Sequence, residues 1–199
     1  MVQKETRPRG RPRHFDESEA VARATRTFWD RGYDGVTIDD LVGAMQVARP
    51  SFYSVFGDKR ALFLRCLKAY AEELGAGAVA ALESESVVDA MRGFLAYVVK
   101  SATADDSPLG CLLACVAPLV DDAEVRAFIL GANAQTIEVV AKRLRAAVAV
   151  GELPADFPVA IRARLSLDLS RGLVSRARIG TARSSLTRDA NEAVSLLLT

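Results

Sequence analysis

Apolar side chains recur at helical spacing over almost the whole chain. Ile38, Leu41, Val42 and Met45 fall at i, i+3, i+4 and i+7, which gives a short helix one apolar face, and Thr37 followed three residues later by Asp40 predicts a capping box at its start. A second short helix is expected to open near Ala48, with Pro50 in its first turn where a missing N–H costs nothing, and to bury Phe52, Val55 and Phe56. Arg49, Pro50, Ser51, Tyr53 and Ser54 are then left pointing outward. Upstream, Asp16 and Glu19 form a capping box for a helix running to about Arg31, with Ala20, Val21, Ala24 and Phe28 facing inward, and Gly32 and Gly35 bracket the turn that follows. Downstream, Asp58 caps a helix continuing through Leu62, Phe63, Cys66, Leu67, Tyr70 and Leu74 to about Leu82, its far half loosened by Gly75 and Gly77. The same periodicity predicts helices over Val87–Ala102, Leu109–Val120, Asp122–Val150, Phe157–Gly180 and Thr187–Leu198. Turn chemistry separates them, and no strand-like alternation occurs. The expected fold is all-α with about nine helices.

Composition sharpens this reading in one place. Half of the 199 residues are hydrophobic and the net charge is only +1, but Met1 to His14 carry Lys4, Arg7, Arg9, Arg11 and Arg13 against Glu5 alone. The run Arg9-Gly10-Arg11-Pro12 resembles the core of an AT-hook, which lies in narrow A·T-rich minor grooves. A solvated basic tail gripping phosphates without preference fits the same residues equally well. No apolar run follows the basic residues, and Ser107–Val120, the longest uncharged run, is too short to span a bilayer. A soluble, cytoplasmic protein with no membrane partner is expected.

The chemistry of the outward set on the second short helix is that of DNA reading: a guanidinium for guanine O6/N7 or phosphate, hydroxyls, a phenol, and a proline able to touch a thymine methyl. Enzyme chemistry has little to stand on. The single histidine, His14, lies in the basic arm, no GxSxG, Walker or HExxH motif is present, and Asp121, Asp122 and Glu124 are spaced as a helix N-terminal cap rather than a facing pair. Cys66, Cys111 and Cys115 make neither a disulfide framework nor a zinc site, so no metal or cofactor is expected. Cys111 and Cys115, i and i+4 on one predicted helix, leave open a redox-responsive reading beside ordinary apolar packing.

Residues 15–70 resemble the DNA-binding domain of the tetracycline-repressor (TetR) family of bacterial transcriptional regulators. The resemblance runs through Phe15, Ala20, Ala24, Phe28, Gly32-Tyr33-Asp34-Gly35-Val36-Thr37-Ile38, Leu41, Ser51-Phe52-Tyr53, Phe56-Gly57-Asp58-Lys59 and Leu62-Phe63. Two positions depart from it: Gln46 stands where the family usually has Gly, and Ala48 where it usually has Ser, Thr or Asn. A left-handed non-glycine residue and a missing N-cap each cost about 1 kcal/mol. The resemblance implies a homeodomain-like three-helix unit followed by a helical ligand-binding and dimerisation region. The implied organisation is a basic arm over 1–14, a helix-turn-helix domain over 15–57, a connecting helix over 58–82 and a ligand-binding and dimerisation domain over 83–199. By the same resemblance Thr37, Tyr53 and Lys59 contact phosphates, Arg49, Pro50 and Ser51 face base edges and Ser54 lies beside them; on either reading of the basic arm, Arg9 and Arg11 add to the grip on DNA. Gly110-Cys111-Leu112-Leu113 and the later Gly151-Glu152-Leu153-Pro154-Ala155-Asp156-Phe157 resemble one group within the family.

The expected function is a homodimeric repressor that binds double-stranded DNA at an inverted repeat and is released by a small molecule. Apolar and aromatic residues between Val87 and Val150, namely Phe94, Tyr97, Val98, Leu112, Cys115 and Phe128, are the expected lining for a small apolar or aromatic effector. Ile161, Leu165, Leu169, Leu173, Val194 and Leu197 on the last two helices are the expected faces of an intersubunit four-helix bundle. The alternatives are a redox-responsive regulator acting through Cys111 and Cys115, and a less specific architectural DNA-binding protein.

Overall fold

The computed structural model describes residues 15–199. Among them the chain forms eight α-helices and no strand: α1 Glu17–Arg31, α2 Ile38–Met45, α3 Arg49–Phe56, α4 Lys59–Ala81, α5 Val87–Ala102, α6 Ala123–Ala149, α7 Val159–Arg178 and α8 Arg183–Leu198. The all-α expectation holds. No helix of the described residues is long and apolar enough to cross a membrane.

The first helices form where local signals place them. The Asp16 carboxylate accepts from the backbone N–H groups of Ser18 (2.8 Å) and Glu19 (3.2 Å) and starts α1. The apolar stripe of α1 then turns onto α4, where Phe28 meets the edge of Phe63 with ring centroids 4.9 Å apart and Trp29 meets Tyr70 at 5.1 Å. Leu62, Phe63, Cys66 and Leu67 bury the first half of α4 against this group. Farther along, α4 crosses α5 at close range. A Cβ on Gly93 of α5 would stand 2.5 Å from the Ala81 carbonyl oxygen, and one on Gly77 of α4 would overlap the end of the Tyr97 ring, with Cε2 at 2.6 Å. Gly77 is therefore a packing position, and α4 runs unbroken past both of its glycines.

The rest of the chain is a helical bundle in which α7 packs on α5, α6 and α8, and α8 lies along α5. Two of the expected elements differ. Where periodicity places a helix over Leu109–Val120, the chain makes only a π-helical turn, Leu112–Val116, and a 3-10 turn, Ala117–Leu119. Gly110 sits at φ 89°, held there by its N–H donating to the Ala102 carbonyl at 2.8 Å, and Pro118 lacks the N–H that a helix would need. The last helix begins at Arg183, four residues before Thr187, within the stretch that reads as a turn. There the Arg183 guanidinium donates to the hydroxyl and carbonyl oxygens of Thr103 at 2.7 and 2.6 Å, tying the start of α8 to the end of α5.

Candidate nucleic-acid interface and effector cavity

The turn between α2 and α3 is built at some cost. Gln46 adopts the left-handed conformation (φ 57°, ψ 39°) and is the one non-glycine residue of the described chain with positive φ. Its N–H closes on the carbonyls of Gly43 and Val42, and the next residue, Val47, is buried. Ala48 then caps α3 with no side-chain hydrogen bond, as its missing hydroxyl dictates. Phe52 and Phe56 anchor α3 in the core. Arg49, Pro50, Tyr53 and Ser54 are exposed on its outer side and Ser51 is half-buried.

Two flanking groups are set by helix starts. Thr37 accepts from the Asp40 N–H at 3.2 Å while Asp40 accepts from the Thr37 N–H at 2.8 Å, the reciprocal box its spacing predicts. Arg31 donates to both Asp40 oxygens (2.8 and 3.2 Å) and to the Gly35 carbonyl (3.1 Å), so the end of α1 fixes the start of α2. That guanidinium, followed by the Thr37 hydroxyl, holds the Asp40 carboxyl well below the usual carboxylate range. Lys59 is the first residue of α4, behind an Asp58 cap that accepts from the Ala61 N–H at 2.7 Å, and its ammonium stands 4.3 Å over the Tyr33 ring. Arg9, Arg11, His14 and the AT-hook-like run lie outside the described residues.

Three ion pairs here, two of them sharing Arg60, have no signature in periodicity. Asp39 on α2 meets Arg49 on α3 at 3.0 Å, a neutralising partner for the central guanidinium of the exposed face. Arg60 donates through Nε to Asp122 at 2.6 Å, through a terminal nitrogen to the same carboxylate at 3.1 Å, and to Glu124 at 2.8 Å. Asp122 also caps α6, accepting from the N–H groups of Glu124 (2.9 Å) and Val125 (3.0 Å). Arg60, more than the cap bonds, brings the Asp122 carboxyl down to about 2. The start of α4 is thus clasped to the start of α6 across 62 residues of sequence, a separation that no local pattern reveals.

A cavity of about 670 Å³ opens between α4, α5, α6 and α7. Phe94, Tyr97 and Val98 line it, as their periodicity suggests, together with Tyr70 and Leu74 of α4. Leu112, Cys115 and Phe128 do not. The π-helical turn shifts the angular phase of residues 112–116, so Cys111, Leu113 and Ala114 face the cavity while Leu112 is fully buried in the core. Phe128 lies one turn before the first α6 residue of the lining, Ala132, and packs half-buried against the core. The lining residues that the periodic reading missed include Asn133 on α6 and Arg171 on α7, polar residues that a search for apolar faces passes over. A second hollow, about 770 Å³, lies between α1, α4 and α5 and shares Tyr70, Leu74, Tyr97 and Ser101 with the first.

All three cysteines are free thiols. Burial pushes Cys66 up to about 12 and Cys111 upward as well, so both are protonated near neutral pH and neither has the depressed pKa of a reactive thiolate. No ion-binding cluster of His, Cys, Asp and Glu occurs among the described residues. On the last two helices the residues of the expected subunit contact divide. Ile161 and Leu165 are 48% and 41% exposed and Leu169 is half-buried, whereas Leu173, Val194 and Leu197 are buried within the chain. The last three belong to the core of one chain, because α7 packs on α5, α6 and α8, and α8 lies against α5.

A family model described as bacterial regulatory proteins of the tetR family matches residues 20–66, from α1 into the first third of α4. The HTH-type transcriptional repressor ComR of Escherichia coli (strain K12) is 28% identical over 192 residues, spanning 94% of this chain and 91% of that protein. The solved structure of the TetR family transcriptional regulator CifR, a cysteine-substituted form complexed with 26-bp double-strand operator DNA, is 30% identical, covers 94% of this chain and 98% of that one, and superposes with a TM-score of 0.86. The chain belongs to the TetR family. An uncharacterised HTH-type transcriptional regulator of Bacillus subtilis (strain 168), YezE, is 38% identical over 84 residues, 42% of this chain and 43% of that protein. The proteins similar to this TetR family chain are transcriptional regulators.

Proposed function

We propose that the protein is a homodimeric transcriptional repressor that binds an inverted-repeat operator through α3 and leaves it when a small molecule fills the cavity between α4 and α7. The observation that carries this reading is the outer face of α3, with Arg49, Pro50, Ser51, Tyr53 and Ser54 on a helix anchored by Phe52 and Phe56, flanked by Thr37 at the start of α2 and Lys59 at the start of α4. Such a face combines base-edge donors with phosphate contacts. Residues 15–57 then serve as the reading head, 58–82 as the connection and 83–199 as the effector and dimer region. Ile161 and Leu165, with the half-buried Leu169 beside them, form an apolar stripe on α7 suited to a second copy of the chain.

Selection of genomic fragments by the full-length protein tests this reading. The recovered sites should be inverted repeats whose half-sites lie about 34–36 Å apart, or a multiple of that, because two recognition helices must enter successive major grooves. Arg49→Ala should cost about 1–3 kcal/mol on the recovered site and relax one position in each half, whereas Lys59→Ala should weaken every duplex and lower the salt slope by about 1. Equal losses on cognate and scrambled duplexes for Arg49→Ala refute base reading by α3.

A further inference from the structure

One arginine of the cavity lining, Arg171, is paired with no carboxylate among the described residues. Leu167, Ser170, Arg171 and Val174 follow one another at i, i+3, i+4 and i+7 along α7, and all four line the cavity, so Arg171 lies on the inward face of the helix. Its side chain is half-buried and donates to the side-chain oxygen of Asn133 on α6, a neutral acceptor. Arg171 takes part in no ion pair among the described residues. The carboxylate nearest in kind, Glu138, also lines the cavity but is exposed and already paired with Arg145, two turns along α6.

A guanidinium offers five N–H donors in a fixed planar fork, and Asn133 accepts from it while keeping its own amide N–H groups available. Buried donors are normally satisfied, and the group that satisfies a guanidinium fork best is a carboxylate, which accepts two parallel hydrogen bonds and supplies the missing charge. Leu74, Phe94, Val98, Val139 and Val174 make much of the remaining wall apolar, beside the neutral polar groups of Tyr97, Ser101 and Gln135. We propose that the effector is an amphipathic monocarboxylic acid whose carboxylate is held by Arg171 and Asn133 and whose alkyl or aryl body lies against Phe94 and Val98. One guanidinium balances one negative charge, which sets this class apart from phosphate monoesters and diacids. The inference rests on the reading of this cavity as the effector site.

The test uses the full-length protein and matched probes that differ only in charge: straight-chain alkanoates from hexanoate to dodecanoate and 4-butylbenzoate, each beside its primary amide. Binding is followed by thermal shift and calorimetry. The wild type should prefer the best acid over its amide by about 10- to 100-fold, the worth of a charge-assisted hydrogen-bond pair. Arg171→Gln should bring acid and amide to within about twofold of each other, chiefly by weakening the acid, Arg171→Lys should restore part of the preference, and Val98→Trp should weaken both by blocking the apolar wall that holds the body of the ligand. Equal binding of acid and amide by the wild type, a preference that survives Arg171→Gln, or failure of every acid in the series to bind overturns the proposal. Release of a selected duplex is measured in parallel. Acids that bind through Arg171 and release no DNA leave the ligand class standing and refute the repressor reading instead.

Discussion

Gly77 offers a quantitative check on how α4 and α5 fit together. Replacing it by alanine adds one methyl group where the hydroxyl end of the Tyr97 ring now lies, so the ring must swing away and its hydrogen bond to the Leu74 carbonyl, 3.3 Å, is lost. That loss costs about 0.5–1.5 kcal/mol. Alanine in a helix interior returns about 0.5–1 kcal/mol relative to glycine. The two nearly cancel, so Gly77→Ala should leave stability within about 1 kcal/mol of the wild type while displacing a side chain that lines both hollows. Gly75, two residues earlier on the same helix, is the control, since a Cβ there meets nothing within 4 Å. Gly75→Ala should realise the full helix gain of about 0.5–1 kcal/mol, a rise of about 1–4 °C in Tm for a chain of this size. In a Tyr97→Ala background the obstruction is gone, and Gly77→Ala should then stabilise as much as Gly75→Ala does. Thermal unfolding of the four variants gives the coupling directly. If Gly77→Ala raises Tm as much as Gly75→Ala in the wild-type background, or if its effect is the same with and without Tyr97, the close packing of Tyr97 on Gly77 is refuted.

Gln46→Gly removes the left-handed strain at φ 57° and should stabilise the protein by about 1 kcal/mol, seen as a Tm about 2–4 °C higher; a lower Tm contradicts this. Asp39→Asn frees Arg49 from its ion pair, so binding to a scrambled duplex should tighten more than binding to the selected one and the salt slope should steepen by about 1; parallel changes on both duplexes rule out any effect of Asp39 on discrimination. The Asp122 carboxyl is held at about 2 against an ordinary 3.8, so the folded state is favoured above the unfolded value and that contribution disappears as pH falls from about 4 through about 2. Asp122→Asn should flatten the acid limb of a stability–pH curve in that window, and an unchanged limb shows that the Arg60 clasp is not linked to folding. Ile161→Glu with Leu165→Glu should yield helical monomers by light scattering, whereas Leu173→Glu should lower Tm sharply because it buries a charge in the core of one subunit; surviving dimers in the first variant place the subunit contact elsewhere.

Much of the head was legible because its determinants are local. The Thr37 and Asp40 box and the Asp16 and Asp58 caps each depend on residues within a turn of one another and appear where spacing predicts them, although at Asp16 only the cap forms, because Glu19 pairs with Arg23 instead of closing the expected box; the strain at Gln46 was legible from its departure from the family pattern. The segment after α5 was not legible in the same way. A hydrophobic run from Leu109 to Val120 looks helical by composition, but the positive φ of Gly110 and the missing donor of Pro118 allow only turns, and the change of phase exchanged Leu112 and Cys115 for Cys111 and Ala114 at the cavity. Leu173, Val194 and Leu197 illustrate a second limit, since an apolar stripe does not say whether its partner is the same chain or another copy. The pairs that join distant helices, Arg60 with Asp122 and Arg171 with Asn133, depend on tertiary placement alone.

The Arg60 clasp also determines what kind of motion α4 can undergo. Three charge-assisted hydrogen bonds hold the Arg60 end of α4 to α6, and in the proposed release a rotation of α4 about that end would keep all three where a slide would break them. From Arg60 to Gly75 the helix gives an arm of about 22 Å at 1.5 Å per residue, and a sideways push of about 2 Å by a molecule in the cavity turns it by about 5°. Such a turn would be carried into α1 through Phe28 on Phe63 and Trp29 on Tyr70, aromatic pairs that interlock the two helices on the head side. In the proposed dimer, two such heads tilting in opposite senses about their own pivots would lose the common spacing that one rigid duplex demands of both.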